Sequence, residues 1–269
     1  MPVHNLYFDL TQELNAEGPI AALASGQAVV FYRLAMMSKD GDWILEESAT
    51  ACRRALAVLA RHGARYRPGA PLDPRWLAGG WSSHFEFFDA KNRRIRCDFL
   101  SRPPRVRTEE LAALFTPPGE RTLVVPIEPL IRMKQTQRAK DYPVIGELAR
   151  LLPPEREIEL TTDPDRVLAL APRFGKGSGR RSVLAAQAGR PREEVVVELA
   201  READRMQTAD RARLERYRAA SEMLLREFQA AGIAGLHLAE GHQRLLEIAE
   251  RLLPVDPFMT GEPKHGAAE

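Results

Sequence analysis

The sequence predicts an α+β fold: a small mixed β-sheet flanked by helices, followed by a mostly helical C-terminal region. Three observations lead there. Short helix and strand signals alternate through the first 150 or so positions. A hairpin pattern stands near residue 90. From about Asp163 onward nearly every periodic segment has the helical repeat.

Residues 5 to 17 read as a short helix that Gly18-Pro19 ends, and Ile20 to Ala24 as an apolar strand. Gln27 to Leu34 has helical character, and Asp42 to Leu45 reads as a strand. Ala49 to His62 is helical, with Gly63 as its stop signal. Pro68 to Gly80, with three prolines and three glycines, reads as loop. His84 to Phe88 and Arg94 to Leu100 are the hairpin arms, joined by Asp89-Ala90-Lys91-Asn92-Arg93. The second arm alternates, with Ile95, Cys97 and Phe99 on one face and Arg94, Arg96 and Asp98 on the other. Leu123 to Val125 reads as a further strand, and Pro126 to Gln137 and Tyr142 to Leu152 as helices. Pro153-Pro154 marks a change of character, dividing the chain into residues 1–152 and 153–269.

The totals exclude several classes. A chain of 269 residues that is 44% hydrophobic and 28% charged is long enough for a sizeable core. A net charge of +2 gives no strong global field toward nucleic acid. Two cysteines, Cys52 and Cys97, make neither a disulfide framework nor a four-ligand zinc site, which suits a reducing cytoplasm. No apolar run approaches the length of a membrane span, and MPVHNLYFDL lacks the features of a signal peptide.

The chemistry gathers in Ser25 to Glu47, SGQAVVFYRLAMMSKDGDWILEE. Residues i and i+2 on a strand point the same way, so Asp40 and Asp42 present both carboxylates to one spot. Hard carboxylates together with substrate phosphates are how proteins commonly hold magnesium. Asp98 is the third candidate, on the polar side of a strand whose other side is apolar. The alternative for KDGD is a surface turn, since Asp and Gly suit turn chemistry. Ser25-Gly26 follows a strand and opens a helix, where backbone amides attract phosphate.

Ser25-Gly26, a helix, then Asp40-x-Asp42 resembles the signature of the nucleotidyltransferase superfamily that includes DNA polymerase beta. Asp98 in IRCDFL resembles that family's third carboxylate. Leu130 to Leu148, LIRMKQTQRAKDYPVIGEL, is similar to a segment of bacterial minimal nucleotidyltransferases of the abortive-infection toxin type. The resemblance covers about residues 5 to 152. It implies a nucleotidyltransferase core there, with the helical residues 153–269 shaping acceptor choice or meeting a partner. It further implies magnesium (or manganese) on Asp40, Asp42 and Asp98, which are also the catalytic residues. Ser25, Gly26, Lys134 and Arg138 would contact the nucleoside triphosphate. The acceptor would be the hydroxyl of an RNA, a protein or a small molecule, and an antitoxin-like protein is an implied partner. Departures are Gly41 between the aspartates, the Ser-Gly order, and Ile145 or Gly146 where a second acidic residue is expected. They favour a rival from another class, an inactive nucleotide-binding or protein-interaction module.

Other features read more plainly. Arg93, Arg94, Arg96, Arg102, Arg105 and Arg107 surround Asp98, either as ion-paired surface residues or as a receiver of RNA or a second phosphate. GKGSGRR lacks P-loop spacing and reads as a flexible linker, with phosphate or RNA contact as the alternative. Arg190 to Glu227, with nine arginines and nine acids, reads as a solvated helical face. His237 and His242 read as surface residues, and Trp43, Trp76 and Trp81 as core or pocket lining, with Trp43 a candidate for stacking on a base. The tail after Pro254 reads as frayed.

Overall fold

The computed structural model describes residues 5–115 and 123–258. The chain runs α1 (Leu6–Leu14), β1 (Ala21–Ala24), α2 (Ser25–Phe31), β2 (Gly41–Leu45), α3 (Ala49–Arg61) and β3 (Arg65–Tyr66). Then come α4 (Pro74–Ala78), β4 (Ser83–Phe88), β5 (Arg94–Leu100), α5 (Thr108–Ala113), α6 (Ile127–Lys134) and α7 (Tyr142–Ala149). The remainder is helical: α8 (Pro154–Leu160), α9 (Pro164–Phe174), α10 (Arg181–Gln187), α11 (Arg192–Ala230) and α12 (Leu238–Leu252). The fold is therefore α+β, with a five-stranded mixed sheet and a long helical C-terminal region. No helix among the described residues is long and apolar enough to cross a membrane.

The sheet order is β1-β2-β5-β4-β3; only β2 and β5 run parallel, the other pairs being antiparallel. Strand alternation divides its faces. Leu23, Trp43, Leu45, Phe85, Phe87, Ile95, Cys97 and Phe99 point into one core, against α1, α3 and α12. Trp43 is fully buried there, stacked on Phe99 at 5.3 Å between ring centroids, and its Nε1 donates to Thr11 Oγ1 at 2.9 Å. It is core and does not offer its ring to a base. The other face is apolar only in part. Ala22, Ala24 and Ile44 pack against α2, α6 and α7, while Asp42, Asp98, His84, Arg96 and Glu86 occupy the rest.

The sequence missed three short elements. α4 lies inside the Pro/Gly segment read as loop; Asp73 caps it by accepting from Arg75 N, with Pro74 in the first turn. β3 and α5 also went unread. Leu123 to Val125 does not form a full strand. It makes a single parallel bridge, Leu23 to Val124, with Leu23 N donating to Leu123 O and Val125 N to Leu23 O.

The first core draws residues from both sides of position 152, including Leu224, Phe228, Leu245 and Ile248. A separate small core, Ile158 to Leu199, lies within the C-terminal helices. α11 carries the interleaved charges in 39 residues, roughly 58 Å of helix. The GKGSGRR segment is not a free linker. Arg180 donates to Ile158 O at 2.8 Å and to Glu202 Oε2 at 2.7 Å. His242 is likewise not a plain surface residue: its Nδ1 lies 2.8 Å from the Tyr66 hydroxyl and burial lowers its pKa. The tail is fixed at its start, where Trp81 Nε1 donates to Pro254 O and Val255 O. Its residues 259–269 lie outside the described residues, as do Met1 to His4.

Candidate functional site

The apolar cover of the second face ends at Asp42. Across that line the register is Ala24, Asp42, Asp98, His84, one residue from each of four neighbouring strands. Residues in register share a face, so Asp42 and Asp98 face each other on strands about 4.8 Å apart. Asp40 stands two residues before Asp42, just ahead of the strand.

Asp42 carries the electrostatic load. Its pKa is pushed up to about 6, first by burial and next by the Asp98 charge, with Asp40 adding to both. The Ser25 hydroxyl and the Lys134 ammonium pull the other way. Four of the residues singled out in the sequence therefore bear electrostatically on Asp42. Ser25 reaches it from the β1–α2 junction with φ at 49°, a left-handed conformation that strains a non-glycine backbone. Lys134 ends α6, buried, and burial depresses its pKa against the support of Asp141 and Asp42. Arg138 sits beyond it, pairing with Asp141 at 3.4 Å, and its charge also bears on Lys134.

The remaining two carboxylates are engaged by cations. Asp98 Oδ1 accepts from Arg67 Nη1 at 3.2 Å and lies 2.9 Å from His84 Nδ1. That second contact is ion-pair distance without hydrogen-bond alignment. Asp40 Oδ1 accepts from Arg96 Nη1 at 3.4 Å. Among the described residues no group of three or more Asp, Glu, His or Cys side chains is arranged to cage a metal as it stands. The donor chemistry nevertheless fits a hard cation: the oxygens are all carboxylate, and Asp42 carries a charge that its neighbours Asp98 and Asp40 oppose.

Two glycines have packing reasons. A Cβ on Gly26 would lie 2.2 Å from Ser38 Oγ, so the loop before Asp40 already requires a glycine there. A Cβ on Gly41 would lie 2.4 Å from the Trp43 ring and 2.5 Å from the Tyr7 ring. The apolar side chain expected between the aspartates is replaced by those two rings.

Sequence reasoning missed the residues that hold the carboxylates. Gln27 Nε2 donates to Ser38 O at 2.9 Å, Asn5 Nδ2 to Gln27 Oε1 at 3.0 Å, and Tyr7 OH to Lys39 O at 2.7 Å. These fix the loop bearing Asp40. Arg67 and His84 reach Asp98 through strand register, a non-local fact. The burial of Gln27, a polar residue on a short helix, had no local signature. The loop after α6 is held from the far half: Asp210, buried on α11, accepts from Gln137 N at 2.9 Å. Beside Asp40 a cleft of about 1280 Å³ opens, with Phe31, Arg33, Met36, Lys39 and Arg96 among its walls.

No family model matches the sequence, and no curated protein does. Among solved structures, a candidate nucleotidyltransferase from Helicobacter pylori aligns at 14% identity and TM-score 0.39, covering 77% of this chain and 95% of its own. The H. pylori protein JHP933 aligns at 15% identity and TM-score 0.39, covering 79% and 94%. A likeness at that level is too loose to fix a family or an activity.

Proposed function

We propose that this chain is a magnesium-dependent nucleotidyltransferase, moving a nucleoside monophosphate from a triphosphate to a hydroxyl acceptor. The observation that carries the proposal is the convergence of Asp98, Asp40, Ser25 and Lys134 on the half-buried Asp42. Packed carboxylates with an ammonium and a hydroxyl at their edge are a costly arrangement for stability alone.

Asp40, Asp42 and Asp98 would hold the magnesium, which supplies charge neutralisation to the triphosphate and orients it. Lys134, a buried cation at the end of α6, binds the departing pyrophosphate. Ser25 donates its hydroxyl in the same place, and Arg138 lies at the outer edge. Asp98, braced by Arg67 and His84, takes the proton of the attacking hydroxyl. The work is positioning and charge stabilisation. The cleft beside Asp40 meets the proposed site only at its edge, through Asp40 and Arg96. RNA, protein and small-molecule acceptors, and a toxin-like pairing with an antitoxin, remain within this proposal.

One observation favours a second reading, an inactive nucleotide-binding module: Arg96 and Arg67 already neutralise Asp40 and Asp98. Transfer of label decides between them. Each of four alpha-labelled nucleoside triphosphates is incubated with magnesium, total RNA and the protein, beside Asp40→Ala/Asp42→Ala. Label on RNA or protein with the wild type alone is the expected result. Triphosphate binding without transfer in any lane selects the inactive module.

A further inference from the structure

Two arginines occupy the carboxylates that the proposed site would give to a cation. Arg96 holds Asp40 at 3.4 Å, and Arg67 holds Asp98 at 3.2 Å. A divalent ion entering there meets two guanidinium groups that repel it at a few ångströms. Neither pair is a strong lock. The Arg96 and Asp40 side chains are 37% and 40% exposed, and partly exposed pairs of this kind are worth little. The arginine backbones are held in place, though: Arg96 lies within β5, and Arg67 N donates to His84 O at 2.9 Å. A displaced guanidinium therefore stays at the site.

For Arg96, the carboxylate across the strand is also taken. Glu86 lies opposite Arg96 in the β4–β5 register, but it already receives Arg94 and, at 3.6 Å, Arg67 Nε. Arg67 keeps Glu86 as a second partner, whereas the counter-charge for the freed Arg96 fork has to arrive with the ligand. A planar guanidinium matches phosphate oxygens in pairs.

We propose that Arg96 and Arg67 are substrate-binding residues that stand in for the cation on Asp40 and Asp98 in the free protein, then turn to the phosphates of the incoming substrate as the cation loads. This rests on the proposed cation site. Its consequence is coupled loading: magnesium alone and polyphosphate alone each bind weakly, and together they bind well.

Titration calorimetry at pH 7.5 tests it, with magnesium alone, tripolyphosphate alone and both together, on wild type, Arg96→Gln, Arg67→Gln and Asp42→Asn. Arg96→Gln is expected to bind magnesium alone about fivefold tighter, the scale of one partly exposed ion pair. It is expected to bind magnesium tripolyphosphate about tenfold more weakly, the scale of a lost charge-assisted contact. Arg67→Gln should change in the same two directions. Structural damage would weaken both ligands together, so opposite signs separate the proposed role from misfolding. Magnesium affinity unchanged or weaker in both arginine variants would overturn the assignment. If wild type binds magnesium tripolyphosphate and Asp42→Asn does not, yet the arginine variants match wild type, the cation site stands and only the arginine role falls. If folded wild type binds none of the ligands, both fall.

Discussion

Glu202 and Asp42 are both carboxylates withdrawn from water, yet they titrate in opposite directions. Burial by itself would raise Glu202, but Arg180 beside it and donors from Ser182 hold it below its ordinary value. Both its oxygens are in use, Oε2 by Arg180 at 2.7 Å and Oε1 by Ser182 N at 3.0 Å and Oγ at 2.9 Å. Asp42 is raised to about 6 by burial and by two neighbouring aspartates, with only a serine hydroxyl and a buried lysine against them. The helical region treats a buried acid as a structural joint and satisfies it. The sheet face leaves one under repulsion, which is what the proposed cation site requires of it.

Removing each acid should separate the two. Glu202→Ala leaves Arg180 and Ser182 without their acceptor and is expected to cost about 3 kcal/mol, read from the urea midpoint. Its label transfer, measured well below that midpoint, should stay near wild type. A loss under about 1 kcal/mol would erase the contrast.

Asp42→Asn should act in the opposite sense. The folded protein holds this proton more tightly than the unfolded chain, since about 6 exceeds the ordinary 3.8. The penalty is absent below pH 4, accumulates as pH rises through the interval from about 4 to 6, and is complete above it. The asparagine variant should therefore equal wild type at pH 4 and exceed it by about 1–2 kcal/mol at pH 7.5, allowing for solvent screening. Magnesium triphosphate should relieve the wild-type penalty and leave the variant unmoved. A variant less stable than wild type at pH 7.5 would place Asp42 with Glu202 as a structural acid.

What the sequence reveals of this contrast follows from how far each feature reaches along the chain. The alternation of Arg94 to Leu100 displays both faces of β5, because it is local geometry, whereas the i, i+2 argument for Asp40 and Asp42 assumes a strand that begins only at Gly41. α4 hid among prolines and glycines although Asp73-Pro74 is itself a cap followed by a first-turn proline. Gly41 reads as a weak point in a strand until Tyr7 and Trp43 are seen to fill its space. Arg67, His84 and Asp210 were illegible as site supports. Their partners Asp98, on a strand, and Gln137, in a loop, lie 14 to 73 positions away, and only register and packing bring them together.

Asp40 sharpens the comparison from the weak side. It is the most exposed of the three site carboxylates, 40% open in its side chain, and its single arginine partner is nearly as open. Its loop is fixed through Ser38 and Lys39 backbone carbonyls, bonds that the Asp40 carboxylate does not make. Asp40→Asn should therefore change stability by less than about 0.5 kcal/mol, far below either other acid. Its effect belongs to ligand binding: magnesium triphosphate should stabilise the variant less than wild type, seen as a smaller thermal shift at equal ligand. A large loss of stability in the absence of ligand would make Asp40 part of the framework, and the division between satisfied joint and waiting acid would then run between single residues, not between regions.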